Sequence, residues 1–357
     1  MEYVKLGSSD LKVSKVCLGT MTWGEQNTLE EGVAQLNVAF DEYGINFLDT
    51  AEMYPIPTKA TTQGKTDLTI AAWLKDRKRE DVIIASKVAG YGDMMTWLPG
   101  RDGKGSRVNR DQITKSVDAS LKRLGTDYID LLQIHWPDRY CGPTFGAPGA
   151  FDPSKIRETT PIEEQLRALD DLVKAGKVRN IGLSNETPFG VMSFVQAAKE
   201  YGLPKVVSIQ NSYSLINRVD FETSLIEVCC KENCDVGLMA YSPLAGGILT
   251  GKYAEDPEGT KGRFNLFPGY MARYKQSSAC EAVAKYGEVG KEFGMTATEL
   301  ALSWCYSRQH VTSTIIGATS VPQLRENIEA FNRKCTPEMT TAIESIYRKF
   351  KDPAKNP

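Results

Sequence analysis

Residues 110–135, RDQITKSVDASLKRLGTDYIDLLQIH, contain one complete helix-to-strand unit of the chain. Apolar residues recur at helical spacing in the first half, which predicts a helix over Arg110–Leu124 that ends at Gly125. The second half, Ile129–His135, is a short apolar run without strict alternation, as is typical of a parallel strand covered on both faces. The stretch therefore indicates a parallel α/β fold.

Similar apolar runs predict seven further strands, at Lys15–Leu18, Asn46–Asp49, Val82–Lys87, Ile181–Ser184, Val207–Gln210, Val236–Tyr241 and Thr314–Ile316. Helices are predicted between them at Thr28–Tyr43, Pro161–Ala175, Thr187–Tyr201, Phe221–Cys230, Thr298–Ser307 and Val321–Phe331. A hairpin is predicted before the first strand, over Tyr3–Val13, and an extra helix near the C-terminus, over Pro337–Phe350. Eight strands alternating with helices are typical of a (β/α)₈ barrel or a doubly wound sheet. No boundary divides residues 1–357, which predicts a single domain.

Three connections are too long to be simple turns: Ala89–Asn109, Trp136–Thr160 and Leu244–Ser278. Each follows a predicted strand. In a barrel, this position brings all three to the C-terminal mouth, where active sites are built.

Charge and hydropathy exclude several classes of protein. The net charge of −2 provides no basic field for nucleic acid. No apolar stretch approaches the roughly 18 residues of a membrane span. Residues 1–16 resemble neither a secretory signal nor a transit peptide, so we expect a cytoplasmic protein. The eight cysteines form no C-x-x-C pair, and the two histidines lack ligand spacing, so no metal site is predicted.

Ionisable side chains stand at the ends of three consecutive predicted strands. Asp49 ends the second strand, Lys87 the third and His135 the fourth, and Tyr54 follows Asp49 by five residues. Because charged groups at the ends of apolar strands are costly unless paired, we expect an ion pair between Asp49 and Lys87.

This set of residues suits the transfer of a hydride to a carbonyl compound. The alkoxide that forms must be protonated, and Tyr54 can do so if the adjacent Lys87 lowers its pKa. Asp49 would hold Lys87 in place. His135 would donate a hydrogen bond to the carbonyl oxygen.

Several motifs strongly resemble the aldo-keto reductases over nearly the whole chain. The resemblance rests on Asp49-x₄-Tyr54, on the strand-end lysine and histidine, and on the blocks at residues 121–131 and 176–185. Residues 19–27, 51–55 and 184–187 resemble the bacterial Tas-type branch of that family. The resemblance implies a single (β/α)₈ TIM barrel, NADPH as cofactor, and Asp49, Tyr54, Lys87 and His135 as the catalytic tetrad.

The resemblance also implies a cofactor site. It assigns Gly19, Thr20, Met21 and Asp49 to this site, and Ser184, Asn185 and Gln210 to the nicotinamide carboxamide. It implies that Tyr241 stacks on the nicotinamide ring and that Ser242, Pro243 and Leu244 follow the pyrophosphate. Lys252, Arg263 and Gly317 belong to the loops after strands seven and eight, where barrels bind phosphate. Thr319 and Gln323 resemble the contacts to the adenosine 2′-phosphate, and Glu326 and Asn327 those to adenine.

The substrate is expected to be a small carbonyl compound at the mouth of the barrel. Trp23, Tyr54, His135 and Trp136 are the predicted substrate contacts, and Phe145 and Trp97 lie in the same loops. His310 follows a helix and is expected on the surface without a partner. The sequence predicts neither a particular substrate nor an oligomeric state.

Two other functions stay open at this point. One is a nucleotide-binding regulatory subunit that resembles the β subunits of potassium channels, with slow or no turnover. The other is a nucleotide-binding stress protein with vestigial catalysis, which the intact tetrad disfavours.

Overall fold

The computed structural model of the chain describes residues 1–255 and 259–355, which contain a closed, eight-stranded parallel barrel. Each barrel strand pairs with the next along the chain, and the last pairs with the first. The strands are β3 (Val16–Gly19), β4 (Phe47–Asp49), β5 (Ile83–Val88), β6 (Ile129–Ile134), β7 (Val178–Ser184), β8 (Val206–Ser212), β9 (Gly237–Tyr241) and β10 (Val311–Ile316). The predicted (β/α)₈ barrel is confirmed.

Helices surround the barrel between successive strands. They are α1 (Leu29–Asn37), α2 (Lys65–Leu74), α3 (Arg110–Leu124), α4 (Ile162–Lys174), α5 (Pro188–Tyr201), α6 (Ile226–Cys229), α7 (Lys252–Glu255), α8 (Arg263–Leu266), α9 (Ser277–Glu292), α10 (Ala297–Ser307), α11 (Val321–Glu329) and α12 (Pro337–Phe350). In the described residues, no helix combines the length and apolar composition that crossing a bilayer requires.

The predicted helices agree best where their caps are explicit in the sequence. α3 and α12 have the predicted bounds, and α1 begins after Thr28, whose side chain forms a capping box with Glu31. α2 and α9, which both begin without a side-chain cap, have no counterpart among the predicted elements. Beyond α1, the predicted Thr28–Tyr43 helix continues as a π-helix over Val38–Glu42.

An antiparallel hairpin of β1 (Tyr3–Lys5) and β2 (Lys12–Ser14) covers the N-terminal end of the barrel. Leu6 and Val13 of the hairpin are fully buried, in one cluster with the inward-facing side chains of the barrel strands, which include Phe47 and Leu131. At the turn, Gly7 has φ +51°, and an added Cβ would lie 2.2 Å from the carbonyl oxygen of Val207. Because the hairpin fills this end, the interior opens at the opposite end.

His310, which precedes β10, is not the unpartnered surface residue that the sequence predicts. Its Nε2 lies 3.0 Å from the hydroxyl oxygen of Tyr213, and its ring stacks on Phe221 with the centroids 5.4 Å apart. Burial, together with nearby Arg308, lowers the pKa of His310 to about 4. His310 is therefore a half-buried side chain that packs against Tyr213 and Phe221, and its lowered pKa favours the neutral form.

A buried ion pair fastens the long connection after β5 to the loop after β4. Arg101 is 1% exposed and Glu52 is fully buried, and Arg101 Nη2 lies 2.7 Å from Glu52 Oε1. Glu52 Oε1 also accepts a hydrogen bond of 2.6 Å from the backbone N–H of Ala89. Since Tyr54 is two residues from Glu52, this pair connects two walls of the open end.

We expect Arg101→Met to destabilise the fold by about 3–5 kcal/mol, because it leaves the Glu52 carboxylate buried without its cation. Denaturation by urea, followed by circular dichroism, would measure the change in the free energy of unfolding. Lys104→Met is the matched control, since Lys104 is exposed in the same loop and its loss is expected to cost no more than about 0.5 kcal/mol. A loss below about 1 kcal/mol for Arg101→Met would show that the pair does not fasten the loop.

Candidate active site

The ends of neighbouring barrel strands bring the predicted ion pair together. Asp49 is the last residue of β4, and Lys87 lies next to the last residue of β5. Lys87 Nζ donates hydrogen bonds to Asp49 Oδ2, to the backbone oxygen of Thr50 at 2.9 Å, and to the hydroxyl of Tyr54 at 3.4 Å. The Lys87 side chain is fully buried, and that of Asp49 is 3% exposed. These contacts hold the ammonium group between the carboxylate and the tyrosine hydroxyl.

Two amide side chains from other strands complete the surroundings of Asp49. Asp49 Oδ1 accepts a hydrogen bond from Gln210 Nε2 at 2.7 Å and a longer one from Gln133 Nε2 at 3.4 Å. Gln133 is buried in β6 and is not among the predicted site residues. Its position as the one amide in the apolar end of a predicted strand is the feature of the sequence that could have indicated a role in the site. Both amides hold the Asp49 carboxylate in place, and this carboxylate in turn holds Lys87.

Tyr54 faces His135 at the open end of the barrel. The side chain of Tyr54 is nearly buried, and its ring meets the His135 ring edge-on with the centroids 5.9 Å apart. Burial, and then the charge of Asp49, hold the pKa of Tyr54 well above its ordinary value, so a lowering by Lys87 stays a prediction. Tyr54 is therefore a neutral hydroxyl that can donate a proton.

His135, directly after β6, is also neutral. Burial lowers its pKa well below the ordinary value, and the charge of Lys87 acts in the same direction. Its Nδ1 is buried, without a hydrogen-bond partner in the part of the chain that the structure describes. Asn185 Nδ2 donates a 2.9 Å hydrogen bond to the backbone oxygen of His135. A neutral imidazole held in this way can donate a hydrogen bond to a bound ligand.

A single cavity of about 1180 Å³ connects these groups with the loops after β9 and β10. Most of the predicted cofactor residues line it: Gly19, Thr20, Met21, Asp49, Asn185, Gln210, Tyr241, Ser242, Pro243, Leu244, Lys252, Arg263, Gly317, Thr319, Gln323, Glu326 and Asn327. Tyr54, His135, Trp136 and Phe145 line it too. The long connections after β5, β6 and β9 all contribute residues, as predicted for loops at the C-terminal mouth.

Ser184 lies behind this wall rather than in it. Its hydroxyl donates a 2.8 Å hydrogen bond to the backbone oxygen of Gln210 and accepts one of 3.1 Å from Asn185 Nδ2. Asn185, with φ +52°, accepts a 2.6 Å hydrogen bond from the hydroxyl of Tyr241. Ser184 thus orients two residues that reach the cavity.

Trp23 is a correction to the predicted substrate contacts. Its side chain is fully buried in the main core, and its Nε1 donates to Gln35 at 3.3 Å. Trp97 is 38% exposed outside the cavity wall. The conformation of the loop decides whether such an aromatic side chain packs into the core or faces the cavity, and the sequence pattern does not predict that conformation. Trp136 does line the cavity, and its Nε1 donates to the backbone oxygen of Tyr91 at 2.7 Å.

Basic side chains lie along the cavity toward the loop after β9. Lys252, Lys261 and Arg263 line it, and none forms an ion pair within residues 1–255 and 259–355. Burial, and then the charge of Arg263, lower the pKa of Lys252. Arg263 Nε and Gln26 Nε2 are buried without a partner among the described residues, and the sequence did not point to Gln26. Uncompensated cations and free N–H donors in one cavity suit a bound polyanion.

The wall after β10 adds neutral donors and acceptors. Gln323 Oε1 accepts hydrogen bonds from the backbone N–H of Thr319 at 3.1 Å and from its hydroxyl at 3.0 Å. Ser320 caps the N-terminus of α11 by accepting from the Gln323 N–H. No group of His, Cys, Asp and Glu side chains in the described part of the chain could hold a metal ion.

Comparison with known proteins agrees with this geometry. The sequence profile of the Aldo/keto reductase family matches residues 15–348. Protein tas of Escherichia coli (strain K12) is 40% identical over 362 residues, which cover 99% of this chain and 100% of that protein. L-glyceraldehyde 3-phosphate reductase of the same strain is 31% identical over 93% of this chain and 88% of its own length. A probable voltage-gated potassium channel subunit beta of Arabidopsis thaliana is 30% identical over 97% of this chain and 96% of its own. The chain belongs to the aldo/keto reductase family, as its sequence resemblance predicted.

Proposed function

We propose that the protein is a cytoplasmic, NADPH-dependent reductase that converts small aldehydes or ketones to alcohols in a reversible reaction. The observation that carries the proposal is the position of Lys87 Nζ, which contacts both Asp49 and the Tyr54 hydroxyl beside His135. This arrangement provides a proton donor, a cation beside it and a hydrogen-bond donor for the carbonyl oxygen.

The residues of the cavity fit a dinucleotide with three phosphate groups. Lys252 and Arg263 would meet the anionic groups, and Ser242, Pro243 and Leu244 would follow the pyrophosphate. Ser242 has φ +56° and Ala245 has φ +47°, and strained backbone of this kind is concentrated at binding sites. Thr319 and Gln323 would contact the 2′-phosphate, and Glu326 and Asn327 the adenine. Asn185, Gln210 and Tyr241 would hold the nicotinamide.

When bound, NADPH supplies the hydride that the carbonyl carbon accepts. His135 and Tyr54 would orient the carbonyl oxygen by hydrogen bonds. Tyr54 would then donate its proton to that oxygen, and Lys87 would stabilise the negative charge left on the Tyr54 oxygen. Asp49, fixed by Gln210 and Gln133, would keep Lys87 within reach. In alcohol oxidation, Tyr54 would accept the proton instead.

A regulatory nucleotide-binding subunit is the second candidate. It is favoured by the similarity of the chain to the A. thaliana protein named as a probable potassium channel β subunit. In that case NADPH would bind with little turnover of any carbonyl compound. The two candidates differ in whether the Tyr54 hydroxyl is needed for a measurable reaction.

Replacing Tyr54 by Phe should lower kcat/KM for carbonyl reduction about 10²- to 10⁴-fold, because it removes the proton donor. NADPH oxidation, followed by absorbance with a panel of aldehydes and ketones, measures the loss. NADPH affinity, measured by quenching of protein fluorescence, should stay unchanged and serves as the control for folding. Turnover that is indifferent to the substitution would contradict the mechanism. NADPH binding without turnover in the wild type would favour the regulatory subunit.

The pH profile should reflect the two shifted pKa values. A raised pKa keeps Tyr54 protonated as the pH rises, and a lowered pKa keeps His135 neutral as the pH falls. We therefore expect kcat/KM for reduction to stay level between about pH 6 and pH 9, and the rate of alcohol oxidation to rise with pH over this range. Steady-state rates at saturating cofactor would measure both. A change in the reduction rate centred near pH 6.5, absent from His135→Gln, would show instead that His135 titrates.

Gln323→Glu should weaken NADPH binding about 10- to 100-fold, because it adds a negative charge where the 2′-phosphate is proposed to lie. The new carboxylate can still accept the hydrogen bonds from Thr319, so the loop should keep its shape. Fluorescence titration with both cofactors measures the effect, and the Kd for NADH, which lacks this phosphate, should change less than about twofold. An equal change for both cofactors would place the 2′-phosphate elsewhere.

A further inference from the structure

Arg273 is a cavity-lining cation to which the cofactor proposal assigns no role. It belongs to a short 3₁₀ helix, Ala272–Lys275, in the long connection between β9 and α9. The side chain lines the cavity that also contains Tyr54 and His135. Arg273 is therefore placed to contact a ligand in this cavity.

The contacts of Arg273 place it at the substrate end of the cavity. Its Nη2 donates a 2.8 Å hydrogen bond to the backbone oxygen of Phe145. The Phe145 ring lies 6.2 Å from the His135 ring and 5.6 Å from the Trp136 ring, centroid to centroid. Phe145 itself has φ +59°, a conformation that an L-residue keeps only when its surroundings hold it. Arg273 is thus anchored to the aromatic group that borders the proposed carbonyl site.

A second set of contacts fixes the plane of the guanidinium. Arg273 lies over the Tyr274 ring at 4.4 Å from its centroid, and Nη2 also donates to the Tyr274 hydroxyl at 3.2 Å. Tyr274 is fully buried, so it forms a rigid base for the cation. The field of Arg273 also reaches Tyr241, where burial raises the pKa well above its ordinary value and Arg273 opposes that rise.

No carboxylate of the described residues forms an ion pair with this charge. The hydrogen-bond acceptors of Arg273 are a carbonyl and a phenol, and Arg273 forms no ion pair within the described ranges. Its Nε is buried and lacks a partner there. The neighbouring wall is apolar and contains Met95, Trp136 and Phe145. Arg273 is half-buried, and its buried, unpaired N–H donor can be satisfied by an anion that pairs with the guanidinium.

We propose that Arg273 binds an anionic group of the substrate, so that the preferred substrates are aldehydes or ketones carrying a carboxylate or a phosphate. The planar fork of arginine suits both anions, because each accepts two parallel hydrogen bonds. Arg273 is therefore a specificity-determining residue that acts at a distance from the reacting carbonyl group. The inference rests on the proposed reductase function, since it names the substrate class of the same site.

Matched pairs of substrates test this inference. 4-Carboxybenzaldehyde is compared with methyl 4-formylbenzoate, and glyceraldehyde 3-phosphate with glyceraldehyde, because the members of each pair share a carbonyl group and differ in charge. The variants are Arg273→Met, Arg273→Lys and the control Arg348→Met, which alters an exposed arginine of α12. The measurements are kcat/KM for each substrate and the Kd for NADPH.

We expect the wild type to prefer the anionic member of at least one pair. Arg273→Met should lower kcat/KM for that member about 10- to 100-fold, the loss expected for a charge-assisted hydrogen-bonded pair. The neutral partner should change less than about twofold, which also shows that the variant is folded. Arg273→Lys should recover part of the loss. The preferred pair distinguishes a carboxylate from a phosphate.

Other results would overturn the inference. An equal loss of kcat/KM for charged and neutral substrates in Arg273→Met would show that Arg273 has a structural role. A raised Kd for NADPH would show that Arg273 contacts the cofactor instead of the substrate. A wild type without preference for either anion would also reject it, while leaving the reductase proposal intact. If no carbonyl compound is reduced, the reductase proposal fails. In that case the affinities of the NADPH-bound protein for terephthalate and for the neutral dimethyl terephthalate test the role of Arg273 alone. If wild type and Arg273→Met bind terephthalate with equal affinity, the inference is overturned.

Discussion

The site depends on one buried ion pair, that of Asp49 and Lys87. Removing two charges from water costs several kcal/mol per ion, and mutual attraction repays this only when the remaining hydrogen bonds are satisfied. Here the carboxylate accepts from Gln210 and Gln133, and the ammonium donates to Thr50 and Tyr54. The pair is therefore fixed at the ends of adjacent strands. The proposed role of Tyr54 follows from that fixed cation, whose charge also acts together with burial to keep His135 neutral.

The barrel makes such a pair possible, because parallel strands end at one rim. β4, β5 and β6 are neighbours, and they deliver Asp49, Lys87 and His135 to the same end. The hairpin fills the opposite end with Leu6 and Val13, so ligands reach the interior from this rim alone in the described structure. The Arg101–Glu52 pair then ties two of the rim loops together. The strands therefore determine the positions of Asp49, Lys87 and His135, and the loops joined by the ion pair form walls of the cavity.

The sequence predicted which residues stand at strand ends, but not how deeply each side chain is buried or which way it packs. Strand ends follow from apolar runs, so the amino-acid pattern alone was enough to place Asp49, Lys87 and His135 at one rim. Trp23 could not be placed, because its direction depends on packing against Gln35 rather than on a pattern. The pKa of Tyr54 also depends on packing. The neighbouring cation was evident in the sequence, but the depth of burial that outweighs it was not.

Charge compensation separates the two kinds of cation in this molecule. Lys87 has its carboxylate within the protein, so its charge is available to a neighbouring proton transfer but does not require a ligand. Lys252, Arg263 and Arg273 face the same cavity without a carboxylate partner among the described residues. All three are half-buried, and a ligand that brings negative charge would pair with them. Because Arg273 contacts Phe145 beside His135, one of these cations lies at the end of the cavity where we propose that the carbonyl group binds. This distribution of unpaired cations is what the proposals of an NADPH cofactor and an anionic substrate require, and the paired Lys87 stands apart from it.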